Sequence, residues 1–312
     1  MIQGSPDPTG RSLLFADTYM EHKHIPGLVD VIKLSQPADI LRVTNDPAFD
    51  RGFQQRKPLL NGLLLGRILA VLSFEGRRFP TMSAQQAAGR AKQQDALWQR
   101  LNAVAPTFSA GPTELESLAQ WVRGDGADAA VGPLVQQVIG RLFSPTFNAS
   151  AASWAAAQVM ASSLAPGNTL RNLVWKITGK VTRAKALLAS MVGGDLSGVH
   201  AISVAIHNVV KGMHQMRALH RDSSARDALT AESAGRRCLY APGVVLRQPT
   251  STGTVAGCPY SPNTLVLLEL EKARQVSGDE SMIFLDNTWS RCPADTWVPA
   301  MLEGVWRRAT GV

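Results

Sequence analysis

From Thr178 to Asp222 the chain reads "TGKVTRAKALLASMVGGDLSGVHAISVAIHNVVKGMHQMRALHRD", a helical pattern of apolar residues with one interruption, Gly193-Gly194. It predicts one very long helix, or two. A glycine inside a helix costs about 1 kcal/mol relative to alanine, so the pair marks a close approach to the backbone or a local distortion. Other helices surround this one. They are expected from Thr81 to about Asn102 and at "GPTELESLAQWVRG", "DAAVGPLVQQVIGRLF" and "SAASWAAAQVMASSLA", with Ser/Pro/Gly joints between them. "SARDALTAESAGRRCLY" continues as helix to Ala241-Pro242-Gly243. There the period changes. "GVVLRQPTSTGTVAGCPYSPNTLVLLEL" predicts two or three short strands, "EKARQVSGDESMIFLDNTW" a loop, and "PADTWVPAMLEGVWRR" a final amphipathic helix.

Near the start, the alternation of Val29, Val31, Ile32 and Leu34 suits a strand, and "QPADILRVTNDP" suits a short helix bracketed by prolines. "KPLLNGLLLGRILAVLSFEGRRFP" is apolar and either buried or lining something. The fold class expected is mainly α with a small late β-meander, in a single domain over 1–312.

A length of 312 residues with 45% hydrophobic content suits a globular domain with a sizeable core. No apolar run approaches the roughly 20 residues needed to span a bilayer. "MIQGSPDPTGRS" lacks the charged and apolar regions of a signal peptide, so a cytoplasmic protein is expected, with no membrane partner. The net charge of +8 is scattered, without a Lys/Arg block or an aromatic platform, which argues against nucleic acid. An acidic protein partner or an anionic ligand fits it better.

Cys238, Cys258 and Cys292 are too few and too widely spaced for a disulfide framework or a zinc site. A metal held by one of them would take its other ligands from a cofactor. His200, His207 and His214 recur every seven residues, about 10.5 Å apart along a helix, too far for one metal. Of these, His200 is the one expected near a pocket.

Taken alone, Cys292 reads as a small buried hydrophobe. Its neighbours change that reading. A long helix with a Gly-Gly break, a charged helix, an Arg-bearing meander and a Cys-Pro loop feeding a helix resemble, in that order, the C-terminal half of a cytochrome P450. "FLDNTWSRCPADTWVPAML" is similar to the family's F-x-x-G-x-[HR]-x-C-x-G, with Arg291 before Cys292 and Pro293-Ala294 after it. Thr288 stands at the glycine position, and Phe284 lies one residue too far upstream. The resemblance implies that Cys292 is the axial ligand of haem b (iron protoporphyrin IX), with Val298, Met301 and Leu302 beneath the porphyrin. A helix N-terminus beside the cysteine would stabilise its thiolate.

"MVGGDLSGV" resembles the family's A/V-G-G-x-[DE]-T stretch, where the helix bends over the haem. Gly193 and Gly194 take the bend, Ser197 falls at the alcohol position, and Asp195 sits one residue before the acid position held by Leu196. The resemblance implies proton relay by Asp195 or Ser197. Glu232 and Arg236 resemble the E-x-x-R pair with the acid displaced by one, and remain neighbours at i,i+4. Arg247 falls where the family binds a haem propionate, and Arg77 and Arg78 lie near a second such contact.

About two thirds of the chain carries the resemblance, with the N-terminal lead-in, middle helices and cysteine loop shortened. It implies a monooxygenase acting on a small or medium hydrophobic substrate, with an acidic ferredoxin or flavodoxin as electron donor. The displaced acid keeps open a peroxide-driven oxygenase, an isomerase or a dehydratase. The imperfect motifs keep open a non-catalytic haem- or ligand-binding relative.

Overall fold

A computed structural model describes residues 20–110, 113–165 and 169–311 of the chain. The N-terminal segment judged for a signal peptide lies outside them. β1 (Met20–Ile25) and β2 (Val29–Leu34) form a hairpin, pairing Met20 with Leu34 and Ile25 with Val29. The turn between them needs Gly27, whose φ of 71° suits glycine. α1 (Pro37–Asn45) begins with the proline that a first helical turn tolerates, and it buries Ile40 and Val43. β3 (Phe49–Asp50), α2 (Leu59–Val71), β4 (Ser73–Phe74) and β5 (Arg77–Arg78) follow. α2 buries Leu65 and Leu69 but leaves Leu59, Leu60 and Leu63 exposed.

The helical region comprises α3 (Arg90–Ala110), α4 (Thr113–Arg123), α5 (Val131–Phe143), α6 (Ala151–Leu164), α7 (Thr169–Ile177) and α8 (Lys180–Met191). It continues through α9 (Leu196–His200), α10 (Ile206–Arg221), α11 (Ser223–Ala228) and α12 (Ala231–Arg237). β6 (Val245–Pro249), β7 (Gly253–Val255), β8 (Cys258–Tyr260) and β9 (Leu265–Leu268) make the late meander, before α13 (Leu270–Ser277), α14 (Ser281–Phe284) and α15 (Trp297–Thr310). The main sheet has the order β1-β2-β9-β6-β3, with β2 parallel to β9 and the other neighbouring pairs antiparallel. The two ends of the sequence thus meet in one sheet, Val31 opposite Leu265 and Leu34 opposite Leu268.

α15 is the spine of the helical part. Met301, Leu302, Val305 and Trp306 are buried, and the helix packs on α3, α4 and α12. α10 packs on α4 and α5, and α6 on α8.

Three expectations need correction. Gly193 and Gly194 do not bend a long helix. Both take left-handed φ, 63° and 77°, and Gly194 N–H returns to Ala189 carbonyl at 2.8 Å, so the pair ends α8 in the manner of a C-terminal glycine cap. The distortion lies further on, as a π-helical turn at Ala201–Ala205 joining α9 to α10. The helix expected from Thr81 begins at Arg90 instead and extends to Ala110. The segment read as a loop before Trp289 contains α13 and α14. Their charged faces hid the period, although Arg274 and Glu271 pair at 2.6 Å while Leu270 and Ala273 are buried.

Gly212 is where α10 meets the end of α12: a Cβ there would stand 2.2 Å from the Cys238 carbonyl oxygen. Alanine gains about 1 kcal/mol of helix propensity, but overpacking against backbone costs about 1–3 kcal/mol. Gly212→Ala should therefore lower stability in urea unfolding, by up to about 2 kcal/mol. Gly66→Ala in α2 should be neutral or stabilising, because its Cβ would meet only the Arg56 guanidinium at 3.8 Å.

Candidate functional site

The loop between α14 and α15 carries Cys292 and is pinned by its own backbone. Cys292 N–H donates to Phe284 carbonyl at 2.8 Å, Arg291 N–H to Thr288 carbonyl at 3.2 Å, and Thr288 hydroxyl to Leu285 carbonyl at 2.8 Å. Leu285 and Asn287 take left-handed φ of 54° and 60°, which folds the loop back beneath α14. Cys292 is half-buried. Burial pushes its thiol up to about 11, against the pull of the Ala294 N–H and Arg51. The helix N-terminus expected beside the thiol is not adjacent, since α15 begins at Trp297.

Beside this loop stands a cluster of cations. Arg51 follows β3, Arg90 opens α3, and Arg247 is central in β6. All three guanidiniums lie over the Trp289 ring, at 4.7, 4.5 and 5.2 Å from its centre. Arg51 donates to Thr81 carbonyl at 2.7 Å, Arg90 to Trp289 carbonyl at 3.3 Å, and Arg247 to Leu246 carbonyl at 2.8 Å and Ser290 hydroxyl at 2.7 Å. The Nε atoms of all three are buried without a hydrogen-bond partner. Among the described residues none of the three forms an ion pair. Burial lowers the pKa of each, that of Arg247 to about 9, and repulsion from neighbouring cations adds to it for Arg51 and Arg247, while the Asp50 carboxylate works against it in all three.

His200, the last residue of α9, is packed edge-on to Phe79 at 6.3 Å, with its Nδ1 buried and unpartnered. Burial, with Arg51 nearby, pushes its pKa down to about 4, so the imidazole is neutral. Arg51 therefore acts electrostatically on both Cys292 and His200.

One carboxylate, Asp50, offsets part of this for all three guanidiniums without forming an ion pair with any of them, so three cations share one anion and further anions would be favoured there. Carboxylates satisfy them best, because a guanidinium offers paired N–H groups to one carboxylate. A thiol together with several arginines is the donor set that an iron porphyrin with two propionates would need.

The structure brings Arg247 and Cys292 to this place but distributes the other expected residues differently. Arg291 turns to α3, over the Trp98 ring at 4.2 Å, and pairs with Asp286 and Asp295. Arg77 and Arg78 are exposed on the β4–β5 hairpin, and Arg78 donates to the carbonyls of Arg51 and Gly52. The arginines that join Arg247 over Trp289 are Arg51 and Arg90, which sequence reasoning missed. Single arginines in loops carry no period. Trp289, three residues before the cysteine, was the one available signal.

Asp195 caps α9, accepting from the N–H groups of Ser197 and Gly198, and pairs with Arg100 of α3 at 2.9 Å. Asp195 and Ser197 thus belong to the cap that follows Gly193 and Gly194, one turn before the π-helical distortion. Glu232 and Arg236 do meet, at 3.3 Å. Arg236 also reaches Glu280 at 2.8 Å, tying α12 to the start of α14 on the protein surface.

No family model and no curated protein matches the chain in sequence. Its fold does match solved structures. A 6-coordinated cytochrome P450 from Thermus thermophilus is 11% identical, with a TM-score of 0.55 over 89% of this chain and 84% of that one. P450 RauA, complexed with a biosynthetic intermediate of aurachin RE, is 12% identical, with a TM-score of 0.60 over 89% and 83%. P450BioI, in complex with hexadec-9Z-enoic acid ligated acyl carrier protein, is 9% identical, with a TM-score of 0.57 over 94% and 86%. Among the described residues no helix is long and apolar enough to cross a membrane. The chain has a cytochrome P450-like fold, mainly helical with a small late sheet.

Proposed function

We propose that this chain is a haem-thiolate oxidoreductase acting on a small or medium hydrophobic molecule, with Cys292 as the axial ligand of haem b. The observation that carries this reading is the convergence of the Arg51, Arg90 and Arg247 guanidiniums on Trp289, without an ion pair, beside a cysteine loop in a P450-like fold. Haem, when bound, supplies the oxidative chemistry.

The chain's own residues hold and tune it. Arg247, steadied by Ser290, would take one propionate, and Arg51 and Arg90 the other. Cys292 would bind as the thiolate, because a metal cation outweighs the burial that keeps the free thiol protonated. Neutral His200 is the group we assign to proton handling, through the unpartnered Nδ1. Asp195 and Ser197, the pair first expected to do this, would have to leave the α9 cap. The ligands bound to RauA and P450BioI support a hydrophobic substrate. The chain's excess of positive charge supports an acidic ferredoxin or flavodoxin as donor.

A second reading rests on a specific observation. Residues 200–205, around the π-helical turn, are His-Ala-Ile-Ser-Val-Ala, with no carboxylate. That composition favours a peroxide-driven or redox-neutral haem enzyme. Turnover with hydrogen peroxide alone, against turnover with an electron donor and oxygen, separates the two.

Absorption spectra test the cofactor. The reduced, carbon monoxide-treated protein should show a strongly red-shifted Soret band that is lost in Cys292→Ser. Haem with both propionates esterified should load at least tenfold more weakly than haem itself. Arg247→Gln should abolish much of that difference. Equal loading of haem and its diester would remove the arginine cradle from the reading.

The histidine gives a pH dependence in the haem-free chain. His200 stays neutral when folded to about pH 4, whereas in the unfolded chain it protonates near 6.5. Between those values only the unfolded state gains the proton, so stability falls as pH drops, by at most about 3 kcal/mol from this group. His200→Gln should flatten the fall seen in chemical denaturation between pH 6.5 and 4. A residual slope should persist from His207 and His220, whose pKa values burial also lowers.

A further inference from the structure

We propose that His22, His24 and Asp30 form a second metal site, for a zinc-type divalent cation, on the β1–β2 hairpin. His22 and His24 are two residues apart on a strand and so share one face of it. Antiparallel register sets Asp30 directly opposite His24. The result is convergence on one oxygen: Asp30 Oδ1 lies 3.0 Å from His22 Nε2 and 3.4 Å from His24 Nδ1. The three ligand atoms all lie within 4.8 Å of one another, and no other such group of three occurs among the described residues.

These spacings match the chemistry. Zinc bonds of about 2.0–2.2 Å in tetrahedral geometry put neighbouring ligand atoms about 3.3 Å apart. Both histidine-to-carboxylate separations are already close to that. Two imidazoles and one carboxylate, with no thiolate, form a donor set that zinc takes readily while keeping a position open.

The carboxylate is also prepared from behind. Asp30 Oδ2 accepts the Thr264 hydroxyl at 2.6 Å. Asn61 Nδ2 donates to the Asp30 carbonyl at 2.6 Å and to the Asn263 carbonyl at 3.0 Å. Asp30, Asn61 and Thr264 are all buried, so one carboxylate oxygen is fixed and the other is presented to the imidazoles. Burial works against ionisation of Asp30, but the Thr264, His22 and His24 hydrogen bonds outweigh it and hold its pKa below the usual carboxylate range.

A cavity of about 530 Å³ opens beside the three, lined by His24, Asp30, Arg56, Ser261 and Asn263 among others. It leaves room for water or a small anion as the fourth ligand, with Arg56 at hand to favour the anion. Occupancy would cross-link the β1 strand to β2 and, through Asn61 and Thr264, to α2 and the start of β9. A neutral imidazole takes zinc on one ring nitrogen and keeps its proton on the other, so binding weakens at pH values low enough to protonate the ligands.

The test titrates the full chain with zinc by calorimetry and with cobalt(II) by visible absorption, haem content being recorded in parallel. One equivalent should bind, with cobalt bands free of sulfur-to-metal charge transfer. His24→Ala, at an exposed position that leaves the Asp30–Thr264–Asn61 bonds intact, should weaken binding at least tenfold, and His22→Gln likewise. Unchanged affinity in both variants, a thiolate signature from Cys258 or Cys292, or no stoichiometric binding by the parent chain would each overturn the proposal. Because none of these readouts uses the haem, a chain that fails to load haem can still bind zinc, and the converse.

Discussion

Three guanidiniums over one indole are the arrangement on which the rest of the structure turns. Each stacking on Trp289 contributes about 0.5–2 kcal/mol, while a buried ion without a counter-ion costs several kcal/mol. Stacking alone does not balance three of them. Yet the same side chains fasten separate parts of the chain together: Arg247 holds Ser290 of the cysteine loop to β6, Arg90 holds Trp289 to α3, and Arg51 reaches Thr81 from the end of β3. The cluster therefore carries uncompensated positive charge, offset only in part by Asp50, and also holds the loop in place. Two carboxylates arriving together would resolve that conflict, and a dicarboxylate porphyrin brings them in one molecule.

The junction between α9 and α10 depends on a different device. A π-helical turn leaves backbone carbonyls out of register, and such turns concentrate at functional sites. Here the side-chain amide of Gln136 in α5, fully buried, donates to the Ile202 carbonyl at 3.0 Å and to the Ser153 carbonyl at 3.2 Å. Its oxygen accepts the Ser153 hydroxyl at 2.7 Å. One side chain thus satisfies the distortion and ties it to α6. His200 stands at the start of that turn, so its position is set by α5 and α6 and not by the glycines before α9. A side chain held by packed helices is placed more exactly than one held by a loop.

How much of this was legible in the sequence follows from which features have a local signature. The helical stretches, the change of period after Ala241 and the cysteine loop feeding α15 all rest on spacing, and spacing is visible. Arg247 was visible through its strand, and the Glu232–Arg236 pair through its i,i+4 separation. Arg51, Arg90 and Trp289 were not, because they converge from distant parts of the chain (Arg90 and Trp289 are 199 positions apart) and nothing local marks them. The Gly193-Gly194 pair misled for a specific reason. Two glycines in a helical pattern read equally as a bend or as an end, and only φ decides between them. Arg77 and Arg78 misled by proximity, since Arg78 supports the backbone of the arginine that is buried.

The basic balance of the chain takes on a different meaning once the charges are placed. Read from composition, +8 is a surface property that draws an acidic partner. But Arg51 and Arg247 are buried at the candidate site, and Arg90 stacks beside them, so part of the excess faces inward. Other buried cations have different solutions: Arg217 pairs with Asp128 at 2.8 Å, and Lys185 is capped by the carbonyls of Ala70 and Ser73 at 2.8 and 2.5 Å. Those two cations have a direct partner from the chain, a carboxylate for Arg217 and two carbonyls for Lys185. Among the described residues, only around Trp289 do buried cations gather without an ion pair from the chain. That contrast is what the proposed anion-binding role of the cluster rests on.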